Sequence, residues 1–348
     1  MTQPILGVLF GGKSNEYEVS LLSAAAILPA LDRAGIPRLA LWMARDGRLF
    51  LFTGDASALK TGLSDVDPAT LSPCDPVRGG VLLRAGGFLP LSGILPAVHG
   101  GATEDGRLQG ALDLLSIPYA GSGAEACAVS MNKHLTKTLL SAAGIPVAGG
   151  FAETVGDDDG DAVLRAENEL GYPLFVKPAR SGSSIGAGVA RNRAELLSRI
   201  ADAKTTDRLL LFEPRIVGRE IEVGVIENET GEPVATPPGE LFYGGAEFYD
   251  YTAKYGAGAA TRIPADLPAA LSVELRETAL LAFRTLGCRH YARIDFFVTG
   301  ERSFLLNEVN ALPGLTDKSM FPRLCAATGL DFPALVRRLA SFATEARA

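Results

Sequence analysis

Two neighbouring segments late in the chain, Arg293-Ile294-Asp295 and then Asn307-Glu308-Val309-Asn310-Ala311-Leu312-Pro313-Gly314, each contain a stretch where polar and apolar residues alternate, 293–295 in the first and 308–311 in the second. A period of two is the mark of a strand with one face in a core and the other outside it. It puts Arg293 and Asp295 on one face of the first segment, and Glu308 and Asn310 on one face of the second. If those faces meet, Asp295, Glu308 and Asn310 form an all-oxygen cluster. Such a set suits Mg2+ shared with substrate phosphates, not Zn2+ or copper. Alone, each segment reads first as an edge strand with a solvated polar face, and the rest of the chain is what overturns that reading.

At 348 residues the chain exceeds the size of one core, and two or three domains are expected. A net charge of -7 argues against a general nucleic-acid binder. It leaves nucleotide binding open, since that needs only a few placed lysines. The four cysteines, Cys74, Cys127, Cys288 and Cys325, form no C-x-x-C pair, and the three histidines form no H-E-x-x-H. They argue against a thiolate or imidazole metal site, and read as buried, reduced thiols that fit the cytoplasm. Residues 1–10 have no basic segment ahead of their apolar run, and the apolar stretch 19–31 is short and contains Pro29. Neither a targeting segment nor a membrane span is expected.

The chain opens as strand (5–10), glycine turn and helix (19–34). A further apolar run (94–98), a helix (106–115) and a short strand (117–119) follow, so alternation up to about residue 120 predicts a mostly parallel sheet. Next come a helix over 124–143, a strand over 174–177, a helix over 193–203 and a strand over 208–213. The acidic run 156–161 reads as a loop or domain edge. Beyond residue 213 lie a strand (221–226), a Gly/Tyr-rich loop (243–258), a helix (269–286), the alternating segments and a last helix.

Gly7-Val8-Leu9-Phe10-Gly11-Gly12-Lys13-Ser14 matches G-x-x-x-x-G-K-S, the phosphate-loop pattern. Its context argues against that role, because Val8-Leu9-Phe10 reads as strand interior and Glu16 and Glu18 would set carboxylates near a triphosphate. A better phosphate site is Lys177, ending a strand, followed by the Ser/Gly loop with Ser181, Ser183 and Ser184, whose backbone N–H groups can fold over an anion. Lys133 offers a second cation. Glu213 and Glu220, flanking Arg215 and Ile216, could grip adenine and ribose with carboxylates and backbone donors.

Taken together these segments resemble the ATP-grasp superfamily, specifically the D-alanine–D-alanine ligases. The similarity rests on Phe10-Gly11-Gly12-Lys13-Ser14-Asn15-Glu16-Tyr17-Glu18-Val19-Ser20-Leu21, on His99-Gly100-Gly101-Ala102-Thr103-Glu104-Asp105-Gly106-Arg107-Leu108-Gln109-Gly110, and on the Lys177 loop. It extends over Phe248-Tyr249-Asp250-Tyr251-Thr252-Ala253-Lys254-Tyr255 and the two late segments. Thr103 stands where that signature usually has glycine, and Ala311 where threonine or serine is usual.

The resemblance implies an α/β, three-domain ATP-grasp fold: a Rossmann-like parallel-sheet domain over 1–122, and ATP-grasp halves over 123–212 and 213–348. It implies ATP-dependent joining of two D-alanines through an acyl phosphate, for peptidoglycan precursors, by a cytoplasmic homodimer. Lys133, Lys177, Ser183, Ser184, Glu213, Arg215, Ile216, Glu220 and Lys254 would bind ATP. Asp295, Glu308 and Asn310 would hold two Mg2+ ions, with Mn2+ as an alternative. Arg293 and the Gly314 N–H would hold the oxyanion. Glu16 and His99 would meet the first D-alanine, while Ser319, Lys254 and Met320 would meet the second. Tyr255, Ser183 and Glu16 would form a closing triad.

Relatives that make D-Ala–D-Ser or D-Ala–D-lactate stay in view, because Glu16-Tyr17-Glu18 looks somewhat like the D-serine group. Tyr255 and Met320 favour D-alanine. A catalytically silent nucleotide-binding regulator would need neither Arg293 nor the triad.

Overall fold

The computed structural model describes residues 4–63, 66, 67, 70–242 and 260–345. The 243–258 loop, with Lys254 and Tyr255, therefore lies outside the described residues.

The first sheet contains β1 (Ile5–Gly11), β2 (Arg38–Met43), β3 (Leu49–Phe52), β4 (Leu71–Val77), β5 (Gly80–Leu83) and β6 (Phe88–Pro96), in that order, closing back on β1. The expected parallel pairing is present where β1 meets β2 and β6. The stretch between β2 and β6, where no strand was expected, is an antiparallel excursion of three strands. The helix α1 (Tyr17–Arg33) packs on this sheet and contributes Leu21, Ala24, Ile27, Leu28 and Leu31 to its core. Ser20 on α1 ties the ends of two strands: its Oγ accepts from Gly11 N at 2.7 Å and donates to Ala97 O at 2.6 Å. A short helix α2 (Arg107–Leu114) follows, and Tyr119 then adds a parallel bridge to Ile94.

The helix expected over 124–143 is two helices, α3 (Ala124–Met131) and α4 (Lys133–Ala142). Asn132 breaks it by adopting an extended conformation and capping α4, its side chain accepting from the N–H groups of His134 and Leu135. Asparagine is a strong N-cap because its short carbonyl satisfies donors that the first turn leaves orphaned. The break sets Lys133 at the first position of α4, where its N–H donates to Ala179 O at 3.0 Å.

The second sheet runs β7 (Phe151–Thr154), β10 (Leu209–Pro214), β8 (Leu174–Pro178), β9 (Gly188–Ala190), with α5 (Gly160–Glu169) and α6 (Arg193–Lys204) completing its core. The third has the order β14 (Ala260–Arg262), β13 (Gly239–Phe242), β11 (Arg219–Glu227), β15 (Tyr291–Gly300), β16 (Ser303–Asn310), and β12 (Pro233–Ala235) also pairs with β11. The helix α7 (Ala269–Thr285) covers one face through Leu271, Leu275, Ala279 and Phe283. Two short helices end the chain, α8 (Met320–Ala326) and α9 (Phe332–Phe342).

Packing does not follow chain order. Ala126 of α3 and Leu140 of α4 join the third core, while Leu335, Val336, Leu339 and Phe342 of α9 join the first. Both crossings clamp the sheets around the cleft in which the polar residues collect.

Candidate active site

The alternation in β15 and β16 places the polar residues as expected. Ile294, Phe296, Val298, Leu306 and Val309 are buried in the core, and Arg293, Asp295, Glu308 and Asn310 turn to the other face. The strands pair antiparallel, with Asp295 opposite Glu308 and Arg293 opposite Asn310. The register slips between Asp295 and Phe296, which leaves Asn307 as an extra residue in β16. Such a bulge changes the strand's phase. Asn307 and Glu308, though adjacent, therefore both line the cleft.

On the far side of β15, Glu222 of β11 lies opposite Asp295. Three carboxylates thus stand in one row across three strands, an arrangement that repels unless cations intervene. Arg293 intervenes: it donates to Asp295 through Nε (2.8 Å) and Nη2 (2.7 Å), and pairs with Glu222 Oε2 at 3.0 Å. Burial alone would lower the Arg293 pKa, but Asp295 and Glu222 hold it well above its usual value. Asn310 Nδ2 donates to Asp295 Oδ2 at 2.9 Å, and Lys133 Nζ lies 3.4 Å from Glu308 Oε2. Among the described residues no three His, Cys, Asp or Glu side chains converge on a single point. The donors present nevertheless fit a hard dication, because Mg2+ commonly takes one or two carboxylates and completes its shell with phosphate oxygens and water.

Two cavities meet at this row. The first is lined by Phe175, Lys177, Ile185, Val189, Phe296 and Phe297, with Glu213 at the end of β10, Arg215 and Ile216 in the turn after it, and Glu220 at the start of β11. Apolar walls with a few convergent polar groups suit a purine nucleotide. Lys177 Nζ is 2.8 Å from Glu213 Oε2 and donates to Asn307 Oδ1 at 3.3 Å. Lys137, which the sequence reading did not single out, pairs with the other Glu213 oxygen. Burial works to raise the Glu213 carboxyl, but Lys137 and Lys177 together keep it below its ordinary value. The serine loop forms one rim, with Ser183 and Ser184 both in the left-handed region at φ 51 and 54. That conformation is costly for serine and is found where a loop is over-determined by its surroundings.

The second cavity is lined by Glu16, His99, Glu104, Leu312, Gly314, Ser319 and Met320, among others. Ser183 donates its hydroxyl to Glu16 Oε1, joining the serine loop to the start of α1. Gly100 crowds Glu16 from the other side: a Cβ there would lie 2.4 Å from Glu16 Oε2. His99 is held between Ser23 Oγ (2.9 Å from Nε2) and Leu312 O (3.3 Å from Nδ1). Burial keeps its pKa below the ordinary value, against the pull of Glu16. Glu104 accepts from Gly100 N at 2.8 Å, and burial beside Glu16 pushes its pKa up to about 8. Ser319 and Thr316 share hydroxyls at 2.7 Å, and a Cβ on Gly314 would come 2.9 Å from Ser319 Oγ. Met320 packs against Leu241 and Leu324. Lys133, Ser183, Arg293 and Glu308 belong to both cavities.

Lys13 is exposed and lines neither cavity, and Val8, Leu9 and Phe10 lie inside β1, so the stretch that would have to form the phosphate loop is strand instead. Tyr17 and Glu18 also line neither cavity: Tyr17 accepts from Trp42 Nε1 at 2.8 Å, and Glu18 pairs with Arg45 at 2.5 Å. Thr103 bonds its own turn, Oγ1 to Gly100 O at 2.8 Å, and Ala311 is buried. Lys137, Glu222, Glu104 and Asn307 were not anticipated as site residues. Lys137 was within reach, being one helical turn from Lys133, and Glu222 is two positions from Glu220 on a strand.

A family model described as D-ala D-ala ligase N-terminus matches residues 5–122, and one described as D-ala D-ala ligase C-terminus matches residues 139–341. The D-alanine–D-alanine ligase of Deinococcus radiodurans is 42% identical over 348 residues, covering 98% of both proteins. That of Kineococcus radiotolerans is 40% identical over 98% of this chain and 96% of its own length. Among solved structures, the D-alanine–D-alanine ligase of Coxiella burnetii is 32% identical with a TM-score of 0.84, over 98% of this chain and 95% of that one. The VanG D-Ala:D-Ser ligase of Enterococcus faecalis is 29% identical with a TM-score of 0.87, over 98% and 99%. With both family models matched in order and full-length relatives at this identity, the chain belongs to the D-alanine–D-alanine ligase family.

Proposed function

We propose that this chain, an ATP-dependent ligase, joins two D-alanines into D-alanyl-D-alanine, with ADP and phosphate as the other products. The observation that carries this is the wall common to the two cavities, which includes Lys133, Ser183, Glu222, Arg293 and Glu308. A nucleotide in the first cavity would present its terminal phosphate at that wall to a carboxylate held in the second. The carboxylate oxygen of the first D-alanine attacks the γ-phosphorus and ADP leaves. The amine of the second D-alanine then attacks the acyl carbon, loses a proton and expels phosphate.

In this reading Lys133, Lys177 and the Ser183–Ser184 loop neutralise charge on the phosphates, as preorganised donors do in phosphoryl transfer. Glu213, Arg215, Ile216 and Glu220 bind adenine and ribose. Asp295, Glu308 and Asn310 hold Mg2+, two ions in all, with Mn2+ as an alternative, which would supply further charge neutralisation. Arg293 and the Gly314 N–H face the developing oxyanion. Glu16 takes the ammonium group of the first D-alanine beside His99, and Ser319 takes the carboxylate of the second, with Met320 as an apolar wall for its methyl group. Lys254 and Tyr255, outside the described residues, are assigned by family resemblance alone: Lys254 to phosphate and the second carboxylate, Tyr255 to the triad with Ser183 and Glu16. Closing that triad would keep water from the acyl phosphate.

We assign the units 1–122, 123–212 and 213–348, a homodimeric assembly, and a cytoplasmic place in peptidoglycan precursor synthesis. No helix among the described residues is long and apolar enough to cross a membrane. The test is phosphate release from ATP and D-alanine, followed by mass spectrometry of products when D-alanine, D-serine and D-lactate compete. D-alanyl-D-alanine should dominate, because Met320 offers a serine hydroxyl no partner and burying it unpaired costs about 1–3 kcal/mol. Mostly D-Ala–D-Ser or D-Ala–D-lactate would overturn the substrate assignment and leave the ligase assignment standing.

A further inference from the structure

Glu213 has two cations, and only one of them can reach a ligand. Lys177 lines the nucleotide cavity with Glu213, whereas Lys137 sits behind Glu213 and lines neither cavity. All three side chains are buried, at 4% exposure for Glu213, 6% for Lys137 and 7% for Lys177. One carboxylate needs one cation for neutrality, so a second buried ammonium adds desolvation cost without a matching charge. Burial indeed pushes the Lys137 pKa down to about 8. The arrangement makes sense once a triphosphate enters. Lys177 Nζ already divides its three N–H groups between Glu213 Oε2 and Asn307 Oδ1, and a phosphate or purine nitrogen would draw it further from Glu213, so without another cation the buried carboxylate would be under-compensated.

We propose that Lys137 is a positioning residue for ATP: it keeps Glu213 paired and oriented through Oε1, so that Lys177 is released to the nucleotide and Oε2 is left aimed at an amino group of the base. This rests on reading the first cavity as the ATP site. The rival is a buried ion pair that serves packing alone.

The test compares K137M, K137R, E213Q and the K137M/E213Q double variant with the wild type. Its readouts are ATP dissociation constants by calorimetry, KM for ATP and for D-alanine, and kcat. We expect K137M to raise the ATP Kd and KM by about tenfold or more, with the D-alanine KM changed by less than about twofold and kcat by less than about threefold. K137R should recover most of the loss. In the E213Q background, where no carboxylate needs a cation, adding K137M should cost less than about twofold. An ATP Kd within about twofold of wild type in folded K137M overturns the proposal, as does a K137M penalty that persists undiminished with E213Q. Unfolding of both K137M and K137R overturns it in favour of packing. A wild type that binds ATP but never ligates D-alanine would sink the functional reading instead, while the Kd arm would still decide the role of Lys137.

Discussion

On the side of the cleft proposed for the nucleotide, polar side chains are fixed by a buried ion cluster, Lys137–Glu213–Lys177, built on α4, β8 and β10. On the side proposed for the amino acids, hydrogen bonds link segments remote in sequence: Ser183 to Glu16, and His99 to both Ser23 and Leu312. The first side is held by desolvated charges, which have strong preferences for their partners. The second exists only while the first sheet, the serine loop and the 311–319 segment stay in place. A ligase that must exclude water from a reactive intermediate would gain from this division if, as proposed, the closing triad completes the amino-acid site.

The largest effect should come from the common wall. Glu308→Gln removes one carboxylate of the row and the partner of Lys133, and turnover should fall by about 10²–10³-fold. Folding should survive, since the side chain faces the cleft and packs little core. An active Glu308→Gln enzyme would break the assignment of the wall as the place where phosphate is transferred.

The nucleotide side is tested by two lysines. Lys177→Ala should weaken ATP binding by on the order of 2–5 kcal/mol, whereas the exposed Lys13→Ala should leave it nearly unchanged. The reverse ranking, read by calorimetry, would put the nucleotide in the wrong cavity.

The amino-acid side is tested by a glycine. Gly100 has φ +67, and a Cβ there would press on Glu16 Oε2. Gly100→Ala should therefore displace Glu16 and raise the D-alanine KM by roughly ten- to a hundredfold, since small displacements of positioning groups carry such penalties. ATP affinity should change little. Equal losses for both substrates would erase the proposed contrast between the two sides.

What was legible in the sequence follows the range of the forces involved. The alternation in β15 and β16 was readable because period two is a local property, and so was the strand character of Val8-Leu9-Phe10. The bulge at Asn307 was not, since it depends on register with the partner strand. The β3–β5 excursion was hidden because Pro73 and Pro76 interrupt β4, and proline within a run argues against a strand. The Asn132 break was a missed local signal, an asparagine cap inside an otherwise helical pattern. His99 to Leu312 spans most of the chain, so no spacing argument could reach it; only the family resemblance brought His99 to the site.

The smallest expected effect concerns Glu104 and protons. Its folded-state pKa, about 8, lies above the ordinary value of 4.5, so the folded chain holds that proton more tightly than the unfolded one. The resulting stabilisation is full below pH 4.5 and is lost as pH rises through 8. On the alkaline side Glu104 gains a negative charge that Glu16 and Glu308 disfavour and Lys133 favours. Glu104→Gln keeps an acceptor for Gly100 N and never ionises. Its thermal midpoint relative to wild type should therefore climb by a few degrees, roughly 2–4 °C, between about pH 5.5 and about pH 9. A difference that stays flat across that range would mean that water entering the cleft solvates Glu104 freely. The amino-acid side would then be open before its substrates arrive, and the contrast with the ion-locked nucleotide side would be sharper still.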